Sequence, residues 1–515
     1  MADAHIKLHS SKVGVIDTDQ VKQRMAPAAR KRFTELLEML TTPGDPTTRP
    51  RSFLSKNDAM LLVQHENAKI VSDASDTTGW CHASSVIEDK PDGQRRRVIF
   101  WSQAQNDALY DLGFKSSVNL EHVSAYLDAV RFDAGGTRDL KVGFWQIPLS
   151  PRARRALRFT DTEGNVYEPT RLPMGHCVAV DIMQLVTLTI AGDAATVLPG
   201  HADPSPAHVW VDGLRFAGTP SQVANALARA DKRAAAVGAT WKAVTPVQSK
   251  YDFIGIDWDH DLHTVKVAEK TASAIRSARL SSMSIHQLEQ LVGRLIWAAG
   301  ATRTALAPFY FAMKMARREA NKLDRGEAQP DTVISIPQSV QKIFSAWRTA
   351  VAAPLRIVER ATPSVKMTLF SDASEKGWGT VLVDNAGAVI GSYGQRWSAS
   401  EAGRHINALE ILALSRAVER FKPSLLKASS LDVRVDNTSL IAAAVKGSSR
   451  SEDLTPFVKV LASELKSLDS ATRVAYVRSE HNPADALSRG VDVPGPITAA
   501  AFAGPTKPSR ILRRA

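Results

Sequence analysis

Four acids near the carboxyl end of the chain stand where strands would end and helices would begin, a pattern suited to divalent-metal chemistry. Asp372 closes the alternating run MTLFSDAS (367–374), and Glu410 lies on a helix-like segment beside an apolar face. Asp436 follows the short apolar run ending at Val435, and Asp485 stands in a Pro-started helix just after a loop bearing His481. Singly, Asp436 and Asp485 read as helix caps and Glu410 as a surface acid. As four acids of one compact unit they match the oxygen-rich demand of a two-Mg²⁺ phosphodiester hydrolase.

A second set lies upstream. In AHVWVDGLRFAG (207–218), Asp-Gly between apolar runs predicts a tight hairpin with Asp212 at its tip, Val209 and Val211 facing one side, and Leu214 and Phe216 in the return strand. Asp139 precedes an apolar stretch interrupted by Gly143 in RDLKVGFWQIPL (138–149). Metal-dependent nucleotidyl transfer needs carboxylates from separate strands to converge on ions about 4 Å apart, and these two supply that pair if their strands are neighbours. In KPDGQRRRVIFW (90–101) a turn at Pro91-Asp92-Gly93 is flanked by Lys90, Arg95, Arg96 and Arg97. Such a basic hairpin suits a triphosphate, with Arg as a fork donor and Lys as a point charge; the bland alternative is a solvated basic loop.

The elements that must hold these residues fall into about three domains, since 515 residues at roughly 150 per domain allow that many. With 44% apolar and 23% charged residues the chain is ordinary globular material, which excludes collagen, full-length disorder and coiled coil. Residues 1–60 read as a polar, basic extension with one helix at about 27–40, and 61–270 as mixed α and β. A helix is expected over 285–298, with Ser284 and Gln287 forming a capping box and Ile285, Leu288, Leu291, Val292, Leu295 and Ile296 on one face. The unit from about 366 to 490 reads as a three-strand meander, a long helix, then strand–helix–strand–helix. The end, 491–515, reads as a basic disordered tail. SDASDTTGW (72–80) echoes SDASEKGW (371–378), but no carboxylate partners follow the first copy, so the echo reads as coincidence.

Lys+Arg of 65 against Asp+Glu of 53 leaves a net charge of +12, which points to a polyanionic partner, most often nucleic acid. Two cysteines cannot make a disulfide framework or a zinc finger and suit a reducing compartment. No apolar signal core opens the chain and no run reaches the roughly 18 apolar residues of a membrane helix, so the expectation is a soluble intracellular protein, nuclear or cytoplasmic, with no membrane partner.

The ordered series KPDGQRRRVIFWSQAQN, RDLKVGFWQIPL, RLPMG, VWVDG and ATWK…YDFIGIDW resembles the motifs of a retroelement reverse transcriptase across about 85–260. FIGIDW, TPVQ and RRRVIFW look most like the tyrosine-recombinase retroelements of DIRS, Ngaro and VIPER type. The resemblance implies that Asp139 and Asp212 bind two Mg²⁺ (or Mn²⁺) ions, and that Lys90 and Arg97 hold the incoming dNTP. Phe144 would lie under its sugar, Met174 and Gly175 near the nascent pair, and Lys242 by the leaving pyrophosphate. One departure stands out: most such enzymes carry a second aspartate after the hairpin-tip one, where this chain has Gly213.

SDAS..GWG, the INALEILAL helix, VRVDN and HNPADALSR, in that order over 366–490, are similar to a retroelement ribonuclease H. That similarity makes Asp372, Glu410, Asp436 and Asp485 the carboxylates for a second pair of ions, with His481 assisting product release. The implied architecture is an α+β and α/β multidomain chain: right-hand polymerase fingers and palm (61–270), thumb and connection (271–360), then a ribonuclease H-like mixed-sheet domain (361–490). The implied partners are an RNA template, a DNA primer, the RNA·DNA hybrid and dNTPs, with a retroelement-encoded recombinase as a further candidate. Two rivals remain at this point: an active ribonuclease H whose degenerate polymerase domain only binds nucleic acid, and a non-catalytic, domesticated nucleic-acid-binding protein.

Overall fold

The computed structural model describes residues 8, 12–45, 47, 53–90, 93–116, 123–357, 365–446, 449, 451, 453–468, 471–491, 497, 501–502 and 511–512. The expected turn residues Pro91 and Asp92, and the side chain of Lys90, lie outside the described set. The chain divides into two compact units. The first comprises 1–121, 132–254 and 258–261; the second comprises 122–131, 255–257 and 262–515.

The first unit opens with α1 (Thr18–Arg24), α2 (Pro27–Met39) and α3 (Lys56–Gln64). Asp17 caps α1 by accepting from the N–H groups of Asp19 and Gln20, and Pro27 starts α2 where a missing N–H costs nothing. The described N-terminal residues contribute to the core of this unit. Val13, Ile16, Val21, Met25, Phe33 and Leu36 share one core cluster with Ile147, Leu149 and Val186. Their burial outweighs the solvation of the basic residues between them.

Next come β1 (His82–Lys90) and β2 (Gly93–Trp101), an antiparallel hairpin in which His82 is level with Trp101. Arg96, Val98 and Phe100 of β2 turn inward, and the buried Arg96 guanidinium makes a bidentate pair with Asp58 of α3 at 2.6 and 2.9 Å. A mixed layer follows: β3 (Ala134–Leu140), α4 (Ala179–Ala191), β4 (Ala207–Trp210), β5 (Gly213–Gly218), α5 (Pro220–Ala236) and β6 (Trp241–Val244). The strands form one sheet in the order β4-β5-β3-β6, and α4 and α5 pack against it.

The second unit contains α6 (Ile285–Ala301), α7 (Tyr310–Asp324) and α8 (Gln338–Ala352). The Ser284/Gln287 capping box is present, and Ile285, Leu288, Leu291, Val292 and Leu295 are buried. Ile296 is 37% exposed, so the apolar face is one residue narrower than its periodicity predicts. A six-stranded sheet follows, built from β7 (Lys366–Ala373), β8 (Gly377–Val383), β9 (Val389–Arg396), β10 (Ser430–Val435), β11 (Ala471–Tyr476) and β12 (Ile511–Leu512), in the order β9-β8-β7-β10-β11-β12. Between β9 and β10 runs α9 (Ile406–Leu425), packed on β7 and β8.

Two expectations are corrected here. The link from β10 to β11 holds two helices, α10 (Thr438–Lys446) and α11 (Thr455–Ser467), where one was expected; Pro456 cannot donate to an earlier turn, so a new helix starts there. The described part of the expected tail is ordered. Ala501 is 1% exposed, Phe502 meets the Phe370 ring edge-on at 5.8 Å, and Ile511–Leu512 pair with Thr472 and Arg473 of β11. Apolar side chains and free strand edges decided this, against the basic composition.

Candidate active sites

Parallel pairing of β7 with β10 sets Phe370 level with Arg434, so Asp372 and Asp436, two residues further on, emerge at the same end of the sheet. Glu410 reaches the same place from α9, and ligand oxygens of Asp372, Glu410 and Asp436 all lie within 4.8 Å of one another. Asp372 is 3% exposed and Glu410 5%. Asp372 Oδ2 accepts from Ser488 Oγ at 2.6 Å, and Asp436 accepts from the Ser479 hydroxyl. Glu410 Oε2 is buried and has no hydrogen-bond partner.

Such crowding has an electrostatic signature. Burial, then the Asp372 and Asp436 charges, push the Glu410 carboxyl up to about 9. Burial is also the main force on Asp372, which reaches about 7; Asp436 and Asp485 add to the rise, while Ser488 and Arg489 oppose it. Close acids that resist ionisation and a buried carboxylate oxygen without a donor describe a cradle for a hard cation, which the all-oxygen ligand set fits.

Of the four acids expected here, three form the cluster. Asp485 stands outside it, paired with Arg489 at 2.8 Å on the next turn of α12 (Ala484–Ser488 and its cap), yet near enough for its charge to act on Asp372. His481 is half-buried on the short 3₁₀ turn Ser479–His481, whose neighbour Asn482 anchors the loop by donating to the Ser371 carbonyl at 3.1 Å. Gly379 makes the docking of α12 possible: a Cβ there would lie 2.3 Å from the Ala484 carbonyl oxygen. Sequence reasoning missed Ser479, Ser488 and the Asn437–Asn407 hydrogen bond (3.0 Å), which ties the end of β10 to α9 one turn before Glu410. Only Ser488 carried a signal, three residues after Asp485 on one helix. A cavity of about 530 Å³ opens beside this bond, with Lys314 and Arg317 of α7, Asn407 and Ser439 in its wall.

The first unit brings Asp139 and Asp212 together. Asp139 is level with Gly213 in the β3–β5 ladder, and Leu140 N–H donates to the Asp212 carbonyl at 3.0 Å. The hairpin turn differs from the expected Asp-Gly pair. Trp210 is level with Gly213, so Val211 and Asp212 form the turn, and Val211 takes a φ of 55° in place of sharing the Val209 face. That conformation is unfavourable for a β-branched residue. Gln184 of α4 supplies compensation, accepting from Val211 N–H at 2.6 Å and donating to the Val209 carbonyl at 3.2 Å. Gly143 is required by close approach: a Cβ would lie 2.9 Å from both Asp212 Cβ and Met183 Sδ.

Burial, followed by the Asp139 charge, raises Asp212 to about 6, while Arg97 and Lys242 pull it down. Asp139 is raised by burial, and Lys242 opposes this with its Nζ 3.8 Å from Asp139 Oδ2. Arg97 also reaches Met174, with Nη1 to Sδ at 3.9 Å, and Met174 O accepts from Phe100 N–H at 3.2 Å. Gly175 follows with a φ of 111°, and Phe144 is half-buried on the short turn Gly143–Gln146. Gln146 was not anticipated. Fully buried, it donates to the carbonyls of Lys141 and Thr240 at 2.9 and 2.8 Å and accepts from Thr240 N–H at 2.7 Å, stapling the loop after Asp139 to the strand that carries Lys242. At Gly213 a Cβ would meet nothing nearer than the Trp210 carbonyl oxygen at 3.5 Å, with Asp139 Oδ1 at 3.9 Å. Steric demand does not explain this glycine. Among the described residues the echo at 72–80 forms no metal-ligating group of acids; Asp76 pairs with Arg158 at 2.9 Å.

Residues 362–463 match the RNase H-like domain found in reverse transcriptase, a span that holds Asp372, Glu410 and Asp436 and stops before His481 and Asp485. Among solved structures, a foamy viral protease–reverse transcriptase dRH in complex with double-stranded DNA aligns over 91% of this chain and 83% of its own, at 14% identity and a TM-score of 0.50. The foamy viral protease–reverse transcriptase with an RNA/DNA hybrid aligns over 98% of this chain and 67% of its own, at 14% identity and a TM-score of 0.48. No curated protein sequence matches the chain. The chain is thus a mixed α/β multidomain protein containing an RNase H-like domain, with a fold similar to that of a viral reverse transcriptase. No helix among the described residues is long and apolar enough to cross a membrane.

Proposed function

We propose that the chain is an RNA-directed DNA polymerase joined to a ribonuclease H that degrades the RNA strand of the RNA·DNA hybrid, as in a retroelement. The observation that carries this reading is the Asp372–Glu410–Asp436 cluster with its unpartnered Glu410 oxygen. Two Mg²⁺ or Mn²⁺ ions at each site, when bound, supply Lewis acidity at the reacting phosphodiester. Asp372, Glu410 and Asp436 then act as ligands, and Asp372 and Glu410 must shed the protons that their burial and crowding retain. Asp485 is a fourth acid whose release from Arg489 would complete the set, and His481 on its anchored turn would assist departure of the cut strand. Lys314 and Arg317 give the neighbouring cavity a positive wall for hybrid phosphates.

In the first unit, Asp139 and Asp212 would share the metal ions with triphosphate oxygens, in keeping with the one or two carboxylates that Mg²⁺ takes at such sites. Arg97, with Lys90, would hold the triphosphate, and Lys242 would pass a proton to the departing pyrophosphate. Phe144 would floor the sugar, with Met174 and Gly175 beside the nascent pair. The motif likeness to tyrosine-recombinase retroelements makes a recombinase a reasonable partner for integrating the product. The alternative, ribonuclease H with a silent polymerase domain, is favoured only by Gly213. The deciding test for the cluster is cleavage of a labelled RNA·DNA hybrid: Asp436→Asn should lower the rate at least about 100-fold while primer extension is retained, since removing one metal ligand typically costs that much or more. Unchanged cleavage in this variant refutes the assignment.

A further inference from the structure

The face that β1 and β2 turn away from the core carries aromatic side chains that the reaction above leaves unused, in line with Arg97, which it uses. Along β2 the inward residues are Arg96, Val98 and Phe100, so Arg97, Ile99 and Trp101 share the opposite face. His82 of β1 is level with Trp101, placing their side chains next to each other on that face. The Phe53 ring then meets the His82 ring edge-on at 5.2 Å. Phe53 and Trp101, each beside His82, are each 58% exposed, an unusual state for large aromatics. At the other end of the same strand face, Arg97 lies near enough to Asp212 for its charge to act on that carboxyl. Trp101 lies four residue steps along the strand from Arg97, or about 13 Å at roughly 3.3 Å per residue.

We propose that Trp101, flanked by His82 and Phe53, is a stacking platform for an unpaired base of the template strand just ahead of the site of synthesis. The inference rests on the polymerase reading and deepens it by placing the template. An aromatic shelf in line with an arginine is the combination that proteins use to hold single-stranded nucleic acid: the base stacks on the ring, and the cation tracks the backbone. Arg97, which would hold the incoming triphosphate, marks the reacting end of this face, and the distance of about 13 Å from it to Trp101 corresponds to about four base steps at roughly 3.4 Å. Stacking of this kind is indifferent to base identity, as copying a template requires.

The test is equilibrium binding of the full chain to primer–template duplexes with 5′ template overhangs of zero to four nucleotides, without dNTP. Wild type should bind overhang duplexes about tenfold more tightly than the blunt duplex, and 2-aminopurine in the overhang should be quenched. Trp101→Ala should lose both the tenfold increment and the quenching while keeping blunt-duplex affinity; Trp101→Phe should keep most of the increment, and His82→Ala should reduce it. An increment that survives Trp101→Ala and His82→Ala, or a wild type that gains nothing from the overhang, overturns the platform. Failure of primer extension alone would overturn the polymerase reading and leave this binding result standing, so the two can fail separately.

Discussion

Replacing Glu410 by glutamine should make the metal-free protein more stable as it destroys hybrid cleavage, and the size of the gain follows from the site. Burial and two neighbouring carboxylates raise Glu410 from an ordinary value of 4.5 to about 9. The folded state therefore keeps the proton between those two values while the unfolded state releases it. Stability from this group is fully present below about 4.5 and is lost as pH rises toward 9. At pH 8 the unfolded chain has gained about 3.5 pH units of ionisation free energy, which at about 1.4 kcal/mol per unit is on the order of 5 kcal/mol. At pH 5 the same product is under about 1 kcal/mol. Glutamine removes the titration, so Glu410→Gln in EDTA should be more stable than wild type by several kcal/mol at pH 8 and nearly equal to it at pH 5. Hydrogen exchange of the α9 amides across a denaturant series reads the unit concerned without assuming that the whole chain unfolds in one step. Saturating Mg²⁺ should close or reverse the gap at pH 8, because only wild type binds the ion with a full ligand set. A variant no more stable than wild type at pH 8, or a gap that does not shrink toward pH 5, refutes the claim that this carboxyl is held protonated in wait for a cation.

Primer extension should depend on ionised Asp212, so its rate should fall as pH drops below about 6, where Asp212 takes up a proton; Asp212→Ala should abolish extension, and any extension left at wild-type level would show that another site does the work. Gly213→Asp should fold, given the 3.5 Å clearance around a Cβ there. With Asp139 Oδ1 3.9 Å from that Cβ, the added carboxylate should tighten Mn²⁺ binding in the first unit and lower metal-free stability by like-charge repulsion. Manganese titration followed by paramagnetic resonance checks this, and unchanged Mn²⁺ affinity counts against a metal site at Asp139 and Asp212.

What was legible in sequence is where acids fall at element ends: Asp372 at the end of an alternating strand, Asp436 after a second, Asp212 at a hairpin tip. The cap of α6 was legible as well, since Ser284 and Gln287 satisfy N–H groups three residues away and need no distant partner. What tertiary structure alone decided depends on contacts remote in sequence. The parallel register of β7 and β10 sets Asp372 beside Asp436, and the packing of α9 brings in Glu410; neither is encoded within a local window. The shift of the hairpin turn to Val211-Asp212 likewise came from the ladder with β3 and from Gln184, which outweighed the local preference of Asp-Gly. Local propensity is worth about 1 kcal/mol per residue, and a ladder with a buried amide clamp exceeds it. Sequence thus named the acids, and long-range pairing decided that three of them bring ligand oxygens within 4.8 Å of one another.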